Sequence, residues 1–226
     1  MWNIYAMNYD TAVLRFSAYK ELIEKVSNDI NLEKGDSVLD LGCGTGNLEN
    51  RVKSNPLEFS FEGLDNSPVM LNIAKRKLKN DSRFKFSLGD INEDFKFENE
   101  TFSKVVMLHS LYAVEDLNST LQNIARVVKP GGELHIVNPL KNADRSQMVK
   151  YELNRSGLFL FILKLLITLP AQIVNSLISK RVKKGYYHFL SNEEYIILLE
   201  KNGFSVELTS LVYANQSTYI ISKLSK

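Results

Sequence analysis

Three aspartates, Asp40, Asp65 and Asp90, each stand at the end of a short run rich in apolar residues. A turn with glycine on alternate positions, Gly42-Cys43-Gly44-Thr45-Gly46, follows the first of them, and a helical pattern begins at Asn47. Carboxylates at strand ends accept hydrogen bonds from ligand hydroxyl and amino groups. Glycines let a backbone and its N–H groups come close to a ligand, because no Cβ holds it off. Spacing narrows the ligand. A dinucleotide fingerprint, G-x-G-x-x-G, needs its third glycine one residue later, and no Lys-Ser or Lys-Thr follows to complete a P-loop. Proton-moving chemistry falls to three histidines, His109, His135 and His188. Cys43 is the single cysteine, so neither an intramolecular disulfide nor a cysteine zinc site is available. No acids and histidine stand at metal-ligand spacing near the fourth apolar run, and no metal is expected.

These groups need strands and helices in alternation. Residues 37–41, 59–65, 84–88, 102–108 and 133–138 read as strands, and 204–213 and 217–224 as two more. Between them lie helical stretches from Asn47, from Ser67-Pro68 to about Lys79, over 117–128, and over 191–201 with a capping box at Ser191. Residues 2–30 read as helical, with Asp10-Thr11 as a cap, and Lys129-Pro130-Gly131-Gly132 reads as a breaker. Such alternation argues for an α/β, Rossmann-like sheet of seven strands, mostly parallel, with helices on both faces. The last two strands are joined by Ala214-Asn215-Gln216, too short for a crossover, so they form an antiparallel C-terminal hairpin. The chain reads as one domain over 1–226, with an N-terminal helical segment (1–30) and an insertion at 141–185.

The run Asp40-x-Gly42-x-Gly44-x-Gly46 resembles motif I of the class I S-adenosylmethionine (SAM) dependent methyltransferases, D-x-G-x-G-x-G, at every fixed position. The resemblance extends over about 35–140 and 186–226. It implies SAM as cofactor, with S-adenosylhomocysteine as product. It further implies that Asp40 and the turn, including Cys43, lie by the amino-acid end. Asp65, nineteen residues after Gly46, would accept both ribose hydroxyls, and Asn66 and Met70 would flank the ribose and adenine. Asp90 would accept the adenine amino group with Ile91 beside the ring, and Leu108 and His109 would line the methionine portion. Trp2, Tyr5, Ala6, Tyr9 and Asp10 are similar to the N-terminal segment of small-molecule and quinone methyltransferases, where a tyrosine closes over the cofactor; packing anchors are the alternative.

Methyl transfer at an activated sulfonium chiefly needs alignment and exclusion of water. A base helps a hydroxyl or carbon acid; the candidates are His109, with Tyr112 close by, and His188, while His135 reads as packed or solvent-facing. Nucleic acid is disfavoured, because His109-Ser110-Leu111-Tyr112 stands where a base-methylating Asn- or Asp-Pro-Pro-aromatic motif would. Two rival functions share the fold: a SAM-binding interaction module without catalysis, and an aminopropyltransferase-like enzyme, which would want extra acids for a polyamine.

Residues 141–185 carry nine basic and two acidic side chains, a net +7 in a chain whose total is +2. Within them, 158–169 is apolar except for Lys164 and Thr168, and these two begin a polar stripe continued by Gln172, Asn175 and Ser179. Central Lys164 and Pro170 argue against a membrane span. The expected roles are a helical lid over a small-molecule or lipid-like acceptor, a face for an anionic membrane surface through 158–184 with Lys180, Arg181, Lys183 and Lys184, or a homodimer contact. The N-terminus has neither a basic nor an apolar signal region, so a cytoplasmic protein, peripheral at the inner face of a membrane where the lid touches lipid, is expected.

Overall fold

A computed structural model describes residues 2–182 and 187–225, with side chains described except at 2–5, 7, 8, 145 and 170–182. Two helices open the chain, α1 (Trp2–Val13) and α2 (Ser17–Asp29). The alternation follows as β1 (Ser37–Leu41), α3 (Asn47–Val52), β2 (Ser60–Asp65), α4 (Pro68–Lys77), β3 (Phe84–Leu88) and β4 (Phe102–Leu108). A 3-10 turn (Leu111–Ala113) leads to α5 (Leu117–Val127), β5 (Val128–Pro139), α6 (Arg145–Val182), α7 (Asn192–Lys201), β6 (Phe204–Val212) and β7 (Ser217–Leu224).

The strands form one sheet in the order β3-β2-β1-β4-β5-β7-β6. β3, β2, β1, β4 and β5 pair in parallel, while β7 runs antiparallel between β5 and β6. Buried apolar side chains fill both faces. Leu39, Leu41, Val105 and Ile136 meet Leu121, Ile124 and Leu199 of α5 and α7 on one side. Val38, Phe61 and Val106 meet Leu22, Val26 and Leu48 of α2 and α3 on the other. A strand covered on both faces reads as a continuous apolar run, the pattern of 105–108.

Local signals explain most element starts. Ser67 accepts the Met70 N–H at 3.2 Å with Pro68 in the first turn, and Ser191 and Glu194 complete a reciprocal capping box. Tertiary packing overrides two expectations. The N-terminal stretch is two helices, broken where Phe16 turns extended (φ −89, ψ 132). The break lets α1 lay Ala6 and Ala12 against Met70 of α4 while α2 packs on the sheet. Asp10 therefore lies inside α1 and caps nothing there; it accepts from Thr45 Oγ1 (2.6 Å) and Asn47 Nδ2 (3.1 Å) and pairs with Lys77 (2.7 Å). The Lys129–Gly132 breaker lies within β5 as an irregularity: Phe102 pairs with Val128, and pairing resumes with Lys104 opposite Glu133. A Cβ on Gly132 would stand 2.8 Å from the Ser103 carbonyl, so the backbones meet too closely for any other residue.

Candidate functional site

The carboxyl ends of β1, β2, β3 and β4 open onto one cleft, with an enclosed volume of about 140 Å³. Its lining includes Gly42 and Gly44, Asp65 and Asn66, Asp90 to Asn92, and Leu108 to Ser110, with Met70 from α4 and Tyr9 from α1. This is the switch point of the sheet, where the chain returns from β3 across β2 and β1 to β4, and where open α/β sheets hold ligands.

The glycine turn is built by left-handed backbone at Gly42 (φ 81), Gly44 (φ 55) and Gly46 (φ 71). A Cβ on Gly42 would stand 2.6 Å from that of Ser110. The turn spends its donors internally. Gly42 and Cys43 N–H both donate to the Leu64 carbonyl (2.7 and 3.2 Å), Gly44 N–H to Asp65 Oδ2 (2.9 Å) and Gly46 N–H to the Cys43 carbonyl (3.0 Å). An anion would find few of these groups available, contrary to the expectation that the turn offers N–H groups to a ligand.

Acids surround the turn instead. Asp65 lines the cleft, held by the Gly44 N–H and by the Ser67 N–H on Oδ1 (2.8 Å); burial raises its pKa, and these two bonds counter the rise. Asp40 and Glu49 are buried behind the turn. Asp40 Oδ1 has no partner, and neither Glu49 oxygen receives a hydrogen bond from another residue. Burial, with Glu49 and Asp65 nearby, raises the Asp40 carboxyl well above the usual range. Burial pushes Glu49 up to about 7, its own backbone N–H and Lys77 pulling the other way. Uncompensated buried acids are costly and mark a place prepared for positive charge. SAM carries a sulfonium, an ammonium and a carboxylate at one end and a diol and a base at the other; its net positive charge suits the acids around the turn, and its diol suits the fixed Asp65 carboxylate.

At the far wall, Asp90 Oδ1 accepts from Asn92 N–H (3.0 Å) and Nδ2 (2.9 Å), while Asn92 Oδ1 accepts the Glu115 N–H at 2.7 Å. His109 leaves β4 with φ 53, an uncommon value for a non-glycine residue. Its N–H donates to the Val137 carbonyl (2.7 Å), its Nε2 lies 3.0 Å from Ser217 Oγ, and its ring meets Tyr213 edge-on at 5.0 Å. Burial lowers its pKa to about 4, so the ring is neutral at pH 7.

Of the residues singled out in the sequence, Tyr9, Gly42, Gly44, Asp65, Asn66, Met70, Asp90, Ile91, Leu108 and His109 line the cleft together. Others lie elsewhere. Asp40 sits behind the turn. Cys43 is buried against β2, its Sγ 2.8 Å from where a Gly63 Cβ would be, and burial beside Glu49 raises its thiol pKa. Gly46 faces Ala74 of α4. Tyr112 stacks on Phe189 (5.6 Å) and meets Tyr187 edge-on (5.3 Å), outside the cleft lining. His188 donates its N–H to the Tyr112 carbonyl (2.8 Å) and turns its ring to the Glu115 carbonyl (3.4 Å), and it too lies outside the cleft lining. His135 is packed, bonded to Tyr219 OH (2.8 Å) and Glu133 (3.2 Å). The Tyr5 side chain lies outside the described residues, as do those of Lys180 and Arg181 and the whole of Lys183 and Lys184. Asn92, Ser110, Ala113 and Val114 join the lining without any sequence signal, since small and apolar residues after a strand carry none.

α6 lies beyond α1 and α2, packed on both, with a bend at Gly157 (φ 73, ψ 162). Among the described residues no group of acids, histidine or cysteine is arranged to hold a metal ion, and no helix is long and apolar enough to cross a membrane.

Residues 38–132 match the family model described as a methyltransferase domain. The chain is 35% identical over 130 residues to the demethylmenaquinone methyltransferase of Bacillus licheniformis, covering 56% of each. A similar enzyme of Leptospira interrogans is 35% identical over 114 residues, 49% of this chain and 45% of that one. The chain thus spans about half the length of the curated relatives it matches. Among solved structures, a SAM-dependent methyltransferase from Aquifex aeolicus superposes with a TM-score of 0.65 at 18% identity, over 93% of this chain and 95% of that one. At such identity the likeness speaks to the fold alone.

Proposed function

We propose that this chain, which belongs to the class I SAM-dependent methyltransferases, moves a methyl group from SAM to a small, lipophilic acceptor of the quinone-precursor type. One observation supports the cofactor assignment above others. The turn after β1 turns most of its N–H groups inward and has Asp40, Glu49 and Asp65 around it, an arrangement for a cation and not for a phosphate. In this reading Asp65 takes the ribose hydroxyls, Asp90 with Ile91 and Asn92 takes the adenine, and Tyr9 covers the site from α1. Gly42 and Gly44 let the methionine end approach, with the buried Asp40 carboxyl behind the turn. The turn at Gly46 and the buried Cys43 hold the loop's shape.

SAM supplies a methyl carbon already activated by its sulfonium, so the protein's part is to align and to keep water out. Leu108, Ala113 and Val114 give the cleft an apolar wall for the acceptor. His109, neutral and fixed by Ser217, is a poor base but a good hydrogen-bond acceptor for an acceptor hydroxyl, so it is assigned a positioning role. The similarity to enzymes named for demethylmenaquinone supports the acceptor class. A lipophilic acceptor is met at a lipid phase, so the proposal includes contact with a membrane surface through 158–184, with α6 packed behind α1, the helix that carries Tyr9 to the cleft.

The test is titration calorimetry with SAM on the native chain and on Asp65→Ala. Native binding and a loss of about 1.5–3 kcal/mol in the variant are expected, from hydrogen bonds to a charged acceptor. Equal affinity would remove the cofactor assignment. Transfer of labelled methyl from SAM into a quinone-precursor extract tests the acceptor class, and binding without transfer to it would favour the non-catalytic module.

A further inference from the structure

We propose that the outward face of α6 rests on the surface of an anionic lipid bilayer. Over 158–169 this helix is inverted with respect to water. Its inward face carries Phe161, Lys164 and Thr168, at helical steps of three and four. Its outward face carries eight large apolar side chains between Leu158 and Leu169, each 39–79% exposed, led by Phe159, Leu158 and Leu166. Soluble monomers seldom leave so contiguous an apolar patch in water, and such patches mark contact surfaces.

The inversion is locked by specific bonds. Lys164 Nζ pairs with Glu152 Oε1, and Glu152, itself 2% exposed, accepts the Ser17 N–H at 2.8 Å and the Ser17 hydroxyl at 3.3 Å. Thr168 Oγ1 donates to the Lys164 carbonyl at 2.8 Å. Rolling the helix to hide its leucines would expose these bonds and leave the buried Glu152 without its cation. Among the described residues none covers the apolar side.

Charge selects the occupant. The 141–185 segment is +7 while the remainder is −5; on the described part Lys150 is exposed, and Arg155 and Lys141, 57% and 59% exposed, pair at the surface with Glu21 and Glu194. A second copy docking through the same face would bring two such segments together and set like charges against each other. An anionic bilayer takes both features at once, apolar side chains at the acyl boundary and cations among the headgroups. No described helix is long and apolar enough to cross, so the fit is to lying on the surface. α6 packs on α1, whose Tyr9 lines the cleft, so docking would bring the cover of the cleft to the lipid. In that respect the inference rests on the lipophilic-acceptor reading.

Flotation of the full chain with vesicles tests it without cofactor or acceptor. Binding to mixed phosphatidylcholine–phosphatidylglycerol vesicles should exceed binding to phosphatidylcholine alone by roughly tenfold or more, and should weaken with added salt. A Phe159→Glu, Leu166→Glu double variant should lose flotation while keeping its melting temperature and its SAM affinity. No flotation on anionic vesicles at low salt would overturn the proposal, as would equal flotation of the double variant. A stable dimer in sedimentation that the double variant dissolves would assign the face to a second copy and overturn it too. Flotation without methyl transfer to a lipophilic acceptor would sink the acceptor reading and leave the docking surface standing; transfer without flotation would do the reverse.

Discussion

Glu152 caps a helix to which it does not belong. Its Oε2 accepts the N–H of Ser17, 135 residues earlier, at the first turn of α2. The residue in the N-cap position, Phe16, has no side-chain oxygen to serve there. The same carboxylate holds Lys164 through its other oxygen. One side chain therefore fixes α6 to the body and compensates both a helix terminus and a half-buried ammonium.

Removing it should be costly. Glu152→Ala leaves the α2 terminus uncapped and Lys164, 20% exposed, without its anion. A loss of about 2–4 kcal/mol is expected, from the cap and from an uncompensated cation. Chemical denaturation would read it as a lower midpoint. A loss under about 0.5 kcal/mol, the scale of ordinary surface substitutions, would mean that this pair does not anchor α6.

Glu49 should work against stability as pH rises. Its folded carboxyl is raised to about 7 from an ordinary 4.5, with burial the main cause. An acid with a raised folded pKa ionises first in the unfolded chain, so stability is present below about 4.5 and is lost as pH climbs toward 7. Glu49→Gln removes that loss. The variant should gain about 2–3 kcal/mol more at pH 8 than at pH 5, most of the linkage value at about 1.4 kcal/mol per pH unit; the unpartnered buried amide lowers stability equally at both values and cancels from the difference. Thermal melts at the two values would show it; equal shifts at both would place Glu49 in contact with water.

His109 behaves oppositely. Its folded pKa is depressed to about 4, so the unfolded chain takes up the proton first as pH falls below about 6.5, and stability declines from there toward 4. Its assigned role needs no proton uptake. His109→Asn keeps a polar side chain at a left-handed position that asparagine tolerates. In a methyl-transfer assay it should lower kcat by less than about tenfold, whereas loss of a general base costs about 100-fold or more. A fall of the larger size, with an acid limb that vanishes in the variant, would restore His109 as base.

What could be read from the sequence was local. The alternating glycines, the acids closing strands one to three and the short final hairpin are each set by neighbours in the chain. The α1–α2 break is not, because it answers to the packing of α1 on α4. The start of β5 at Val128 depends on how closely Gly132 approaches Ser103. Nor could the sequence tell that Ser217 meets His109 across 108 residues, or that the turn after β1 spends its own donors on Leu64 and Asp65. The stripe of Lys164 and Thr168 was visible as a stripe. That it faces inward follows from Glu152, whose burial no pattern in its own helix announces.

Gly42 joins two requirements that a single methyl group would break. Its φ of 81 lies where side chains are strained, and a Cβ would stand 2.6 Å from that of Ser110. Ser110 cannot swing away freely, because its hydroxyl donates to the Leu41 carbonyl at 2.7 Å, the last residue of β1. Gly42→Ala should thus cost about 1–3 kcal/mol in stability by strain and crowding. It should also weaken SAM binding, since the turn that holds Gly44 against Asp65 would shift. A Gly42→Ala, Ser110→Gly pair relieves the clash but not the backbone strain. It should recover part of the stability, so a double-mutant cycle measures the contact. If the single variant melts like the native chain and binds SAM equally well, the turn is not held as tightly as its internal bonds imply, and the close approach of Gly42 to Ser110 has no role in shaping the cleft.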